Sequence, residues 1–175
     1  MTLIGKTAFV TGGSRGIGAA IARKLAEDGA DVAISYASNE DAAAGTVAAI
    51  EKTGRKALAI RADNSKASDL QDAINKAAST FGKIDILVNN AGVFLVGPVD
   101  QLSLEDFDTS LAVNLRAVFV ASKAAVTHMP DGGRIISIGS NLAAQAPTAG
   151  LVAYSATKAG VTGLTHALAR DLGSR

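Results

Sequence analysis

Five short apolar runs alternate with longer stretches of helical periodicity along this chain, and that alternation leaves few architectures open. The runs are "TAFVTG" (7–12), "DVAISY" (31–36), "KALAIRA" (56–62), "IDILVNN" (84–90) and "GRIISIGS" (133–140). Each is apolar almost throughout rather than at every second residue, as in strands buried on both faces of a parallel sheet. The segments between and after them predict helices over 16–28, 39–53, 66–81, 103–128 and 154–172, the fourth broken near Asp108–Ser110. Gly29, Gly54 and Gly82 stand where the first three helices should end. Strict alternation predicts a doubly wound α/β fold, a Rossmann-type parallel sheet with right-handed crossovers and strand order 3-2-1-4-5. Its ligand crevice should lie at the carboxyl ends of the strands. A length of 175 residues fits one domain over 1–175.

Two helices carry more apolar surface than one sheet face needs. The stretch 111–128, "LAVNLRAVFVASKAAVTH", is apolar nearly all round, which predicts burial on more than one side. The helix 154–172 has Val161, Leu164, Leu168 and Leu172 on one stripe, and Ala156, Ala159, Gly160, Gly163 and Ala167 on a second, slim face. Together these predict self-association, as a dimer or tetramer, through helices 111–128 and 154–172.

Composition removes several chemistries. The chain has no cysteine, which excludes thiolate nucleophiles, disulfides and cysteine-held metals. Only His128 and His166 offer imidazole, and they lie far apart, so no metal site is expected. A formal charge of +1 and the lack of a long Lys/Arg cluster argue against a nucleic-acid partner. No run approaches the ~20 apolar residues of a membrane span. The N-terminus "MTLIGKTAFV" has no secretory pattern, so the expected location is the cytosol.

The first run leads into "TGGSRGIG" (11–18), where Gly12, Gly16 and Gly18 open the first helix. Glycines there permit a tight turn and let backbone N–H groups approach a pyrophosphate at the helix N-terminus. Gly12, Ser14, Arg15, Gly16, Ile17 and Gly18 are the candidate phosphate residues. Gly13 to Gly18 also has the spacing of a Walker loop, but Ala19 stands where its lysine must be. A glycine-rich turn that only lets strand and helix pack is the remaining alternative. Past the second strand come Tyr36, Ala37, Ser38 and Asn39, with no acid before Glu40 to hold a ribose 2′-hydroxyl. That gap, with the Arg15 guanidinium nearby, favours NADP(H) over NAD(H).

In "AYSATKAGVTG" (153–163), Tyr154 and Lys158 are four apart and share a helix face. A neighbouring ammonium favours the tyrosinate and lowers a phenol pKa from about 10. Such a phenol can give a proton to a carbonyl oxygen, or take one from an alcohol. Taken alone the pair also reads as an ordinary helical Tyr and Lys.

"TGGSRGIG", "NNAG" (89–92), Asn114, Ser140 and "YSATK" (154–158) occur in this order over the whole chain. In combination they resemble the short-chain dehydrogenase/reductase family, and most of all its 3-oxoacyl-carrier-protein reductase-like, NADPH-dependent carbonyl reductases. The resemblance implies hydride transfer between NADP(H) and a small ketone or secondary alcohol. It implies Tyr154 as proton donor or acceptor and Lys158 as the residue that binds the nicotinamide ribose and lowers the tyrosine pKa. Ser140 would hold the substrate oxygen. Asn114 would kink its helix and hold a water leading from Lys158 to solvent. Asn90, Ala91 and Gly92 would line the adenosine and ribose path, and Asp63 and Asn64 would contact adenine.

Three departures from the family pattern qualify these expectations. Thirteen residues separate Ser140 from Tyr154, one more than is common, which leaves Asn141 at the commoner spacing. The segment before strand 5, "THMPDGGR", lacks the basic cluster suited to an acidic carrier, which favours a small free substrate. The chain ends at "ALARDLGSR", without the sixth and seventh strands, the Pro-Gly cofactor motif and the substrate lid of the family. A truncated chain is therefore expected. The rival reading is a catalytically idle NADP-binding sensor or scaffold, or an inactive fragment of a longer reductase.

Overall fold

A computed structural model describes residues 2–175. Five parallel strands form one sheet in the order β3-β2-β1-β4-β5: β1 (Thr7–Val10), β2 (Asp31–Tyr36), β3 (Ala57–Arg61), β4 (Ile86–Asn89) and β5 (Arg134–Ser137). The helices are α1 (Gly16–Glu27), α2 (Glu40–Glu51), α3 (Ala67–Phe81), α4 (Leu104–Leu111), α5 (Ala117–Val126) and α6 (Val152–Asp171). The expected order and alternation are borne out, with β2 as long as its run and the other four strands shorter than theirs by two to four residues.

Side-chain alternation divides the core into two layers. Ala8, Val10, Val32, Ile34 and Val88 face α1 and α2, where they meet Ala22, Ala26, Ala43 and Ile50. Phe9, Ala33 and Leu87 face the other way, onto Leu70 and Ile74 of α3 and Ala121 and Ala125 of α5. Small alanines on the helices let them lie close to the sheet. Burying an Ile or Phe completely in such a layer contributes about 1.5–3 kcal/mol.

The long fourth helix is broken, but not at Asp108–Ser110. Those residues remain in α4, and a π-helical turn over Ala112–Arg116 follows, running directly into α5. The cause is tertiary. Asn114 in that turn bonds the backbone of Val93 and the hydroxyl of Thr157, and the wider turn accommodates this. The stretch Leu104–Val126 has the length and apolarity of a membrane span, yet half of its apolar window is buried inside the protein. Its expected burial on several sides is only partial, since Phe119 stays half exposed.

On α6, Val161 is buried while Leu164 and Leu168, and Leu172 just past its end, are half buried. Gly160 on the slim face serves a contact within the chain: a Cβ there would lie 2.9 Å from a methyl of Leu115. Both β3 and β5 are sheet edges. Beside β5 a groove of about 350 Å³ runs between Ile135 and Leu168.

The amino-terminal ends of the strands are tied by a buried acid. Asp85 accepts from Thr7 N–H at 2.9 Å and pairs with the Nζ of Lys6 at 3.0 Å and of Lys83 at 3.1 Å. Burial pushes its carboxyl up, but the Thr7 N–H and the two ammonium groups outweigh that and hold it below the usual carboxylate value.

Candidate active site

At the opposite, carboxyl end of the sheet lies a cleft of about 580 Å³. Every candidate nucleotide residue outside the Tyr154–Lys158 pair lines it. Gly12, Ser14, Arg15, Gly16, Ile17 and Gly18 come from the turn after β1, Tyr36 to Asn39 from the end of β2, Asp63 and Asn64 from the end of β3, and Asn90 to Gly92 from the end of β4.

The glycine turn is held from four directions. The Ser35 hydroxyl accepts from Gly12 N–H at 3.3 Å, and the Thr46 hydroxyl donates to the Ser14 carbonyl at 3.2 Å. Asn90 donates its side-chain amide to the carbonyls of Thr11 at 2.9 Å and Gly12 at 3.2 Å. The Thr11 hydroxyl accepts from the N–H groups of Asn90 at 2.9 Å and Ala91 at 3.0 Å, tying β4 to the turn. Asn90 thus shapes the turn as well as lining the cleft. Thr11, Ser35 and Thr46 do not stand out in the sequence. Thr11's place between an apolar run and Gly12 is the one signal that could have marked it.

Two glycines in the turn have no substitute. Gly12 has φ +64°, a left-handed conformation. At Gly18 a Cβ would lie 2.4 Å from the Gly12 carbonyl oxygen and 2.5 Å from the Asn90 amide nitrogen. Close approach of α1 to the turn therefore requires glycine.

The start of α1, like that of α6, has neither a side-chain cap nor an acid in its first turn, and at α1 it opens onto the cleft. The N-cap of α1, Arg15, offers no side-chain acceptor. By contrast, Asn39 caps α2 and Ser103 caps α4, and both of those first turns carry two acids. At α1 the free N–H groups and the helix dipole are left for an external anion. The donor-rich turn, the glycines and the cleft volume fit the phosphates and adenosine of a dinucleotide. At the β3 end of the cleft, Asp63 accepts from the hydroxyl and N–H of Ser65, and these bonds hold its carboxyl below the usual value.

Tyr154 and Lys158 lie one turn apart on α6, with the Lys158 Nζ 5.8 Å from the phenol ring centroid. Lys158 is buried, and its ammonium donates to the Ile138 carbonyl at 2.7 Å. Burial lowers its pKa from the ordinary lysine value. Among the described residues no carboxylate lies within ion-pair distance of it. Asn114 stands behind the pair. Its Oδ1 accepts from Val93 N–H at 2.8 Å, and its Nδ2 donates to the Val93 carbonyl at 2.9 Å and the Thr157 hydroxyl at 3.3 Å. Thr157 donates in turn to the Tyr154 carbonyl at 2.8 Å. Thr157 and Val93 are thus positioning groups absent from the sequence expectations.

Ser140 follows β5 and caps a 3₁₀ turn, Asn141–Ala143, by accepting from Leu142 N–H at 3.1 Å. That turn packs on α6. The ring of Phe94 meets Tyr154 edge-on, with centroids 4.7 Å apart.

The sequence profile of the short chain dehydrogenase family matches residues 6–175. The chain belongs to that family. Hydroxynaphthalene reductase arp2 of Aspergillus fumigatus is 39% identical over 175 residues, all of this chain and 64% of the relative. The cyclic-di-GMP-binding biofilm dispersal mediator protein of Escherichia coli K12 is 41% identical over 98% of this chain and 68% of its own length. The chain thus spans about two thirds of the length of these relatives. A crystal structure of a short-chain dehydrogenase from Burkholderia cenocepacia J2315 in complex with NADP is 54% identical, covers all of this chain and 71% of its own, and superposes with a TM-score of 0.98.

Proposed function

We propose that residues 1–175 form one dinucleotide-binding unit that also carries the catalytic residues of an NADP(H)-dependent oxidoreductase. The substrate is a ketone or secondary alcohol. The observation that carries the reading is Lys158, a buried ammonium with no carboxylate partner, one turn from Tyr154. A buried charge of this kind is costly unless something uses it.

A reduced nicotinamide held in the cleft would supply the hydride for the carbonyl carbon. Tyr154 gives its phenolic proton to the carbonyl oxygen as negative charge develops there, and takes it back in the oxidative direction. Lys158, one turn from the phenol, would hold the nicotinamide ribose. The Ser140 oxygen already accepts from Leu142 N–H, so its single O–H remains available to donate to the substrate oxygen. Asn114 holds Thr157 and the Val93 backbone in line behind the pair. Preference for NADP(H) is supported by the absence of an acid from Tyr36 to Asn39, by Arg15, and by the NADP bound to the Burkholderia relative.

Tyr154→Phe tests the mechanism. With NADPH and a panel of ketones, turnover should fall by about a thousandfold, within the ~10²–10⁴ range of general acid catalysis, while the NADPH Kd changes less than about twofold. Near-normal turnover in the variant would refute it. A second reading is nucleotide binding without redox chemistry, and the name of the Escherichia coli relative, a cyclic-di-GMP-binding protein, supports the binding part of it. That reading expects NADPH binding and no oxidation with any ketone, even in the unaltered chain.

A further inference from the structure

The β2–β3 edge carries a second arginine that the sequence motifs do not single out. Arg61 ends β3 in register with Tyr36 of β2, so the two side chains share the α1–α2 side of the sheet. Its Nε donates to the Ala37 carbonyl at 3.2 Å. Ala37 is the first residue past β2, where an acid would hold a ribose 2′-hydroxyl, and it lines the cleft. The bond to Ala37 uses one of five guanidinium N–H donors and anchors the group at the rim of the cleft. Arg61 is solvent-exposed, and no carboxylate lies within ion-pair distance of it among the described residues. The same is true of Arg15, which lines the cleft together with Ala37, Ser38 and Asn39.

The local charges differ in how they are committed. Asp31 at the far end of β2 is paired with Arg55 at 2.7 Å. Glu40 and Asp41 sit in the first turn of α2, where the helix dipole favours them, and neither pairs with Arg61. Asn39 uses its Oδ1 to cap α2, accepting from Ala42 N–H at 2.9 Å, so only its amide donors remain for a ligand. The Ser38 hydroxyl has no protein partner among the described residues. An anion beside Ala37 would therefore meet donors from Ser38 and Asn39 and two unpaired guanidinium groups.

We propose that Arg61, anchored on the Ala37 carbonyl, is a selectivity residue for the adenosine 2′-phosphate, acting together with Arg15. This rests on the NADP(H) reading above. The Nε bond to the Ala37 carbonyl sets the direction of the fork, so charge and geometry both matter.

The test is binding, measured calorimetrically or by fluorescence on the full 175-residue chain with NADPH, NADH, 2′,5′-ADP and 5′-AMP. Arg61→Gln removes the charge, and Arg61→Lys keeps it without the fork. The Kd for NADPH and 2′,5′-ADP should rise about tenfold in Arg61→Gln, which is about 1.4 kcal/mol, and by a smaller factor in Arg61→Lys. NADH and 5′-AMP should bind all three proteins equally, within about twofold. Parallel weakening of NADPH and NADH would mean that Arg61 only supports the loop, and unchanged NADPH binding would mean that it is a solvated surface charge. Either result overturns the proposal and leaves the NADP(H) reading standing. An unaltered chain that binds neither NADPH nor 2′,5′-ADP would overturn both.

Discussion

The two ends of the crevice differ in how far the protein encloses them. Around the glycine turn, β1 and β2 are buried almost throughout, and the turn is tied to β2, α2 and β4 by Ser35, Thr46, Thr11 and Asn90. Around Tyr154, Phe94 is 58% exposed and Val152 47% exposed, and on neighbouring β5 Ile136 is 46% exposed. A turn already fixed in the folded protein loses little further freedom when a phosphate arrives, which favours tight binding of one invariant ligand. The tyrosine end has its key bonds behind the pair, from Asn114 and Thr157.

The contrast can be broken first by truncating one isoleucine on each side. Ile34 is fully buried against the glycine turn, whereas Ile136 is 46% exposed. Ile34→Ala should cost about 2–5 kcal/mol in chemical denaturation, and Ile136→Ala less than about 0.5 kcal/mol. Equal losses would mean that the β5 side is as closely packed as the β2 side.

A smaller effect is expected at the buried carboxylate that ties β1 to β4. Asp85→Asn keeps an acceptor for Thr7 N–H but removes the charge facing Lys6 and Lys83. It should destabilise the protein by about 1–3 kcal/mol at neutral pH. The folded carboxyl titrates below its unfolded value, so the stability it contributes is complete above about pH 4. That stability is lost as the pH falls through the folded value. Denaturation between pH 7 and pH 3 should therefore show a steeper acid loss in the unaltered chain than in Asp85→Asn. Identical pH profiles would remove Asp85 from the account.

Much of this organisation was legible in the chain because it depends on local pattern. Five apolar runs gave the strands, and Gly29, Gly54 and Gly82 all take up positive φ at or just beyond helix ends. The glycine loop and the Tyr154–Lys158 spacing were readable for the same reason, since a turn and a helix face are set by near neighbours. What escaped is tertiary. The helix break fell at Asn114 rather than Asp108–Ser110, because its cause is the Val93 backbone 21 residues away. The contact of Gly160, on the slim face of α6, with Leu115 was not readable either, because Leu115 is distant in the sequence. Thr11 and Arg61 carry no motif, and they matter only because β4 and β2 end beside them.

The most direct measurement is a fluorescence titration of the 175-residue chain and of its Gly18→Ala variant with NADPH and NADH. The unaltered chain should bind both nucleotides and prefer NADPH. Gly18→Ala should bind neither, because its Cβ would lie 2.4 Å from the Gly12 carbonyl oxygen and displace the turn. Failure of the unaltered chain to bind, or undiminished binding in Gly18→Ala, would contradict the assignment of this cleft to the dinucleotide.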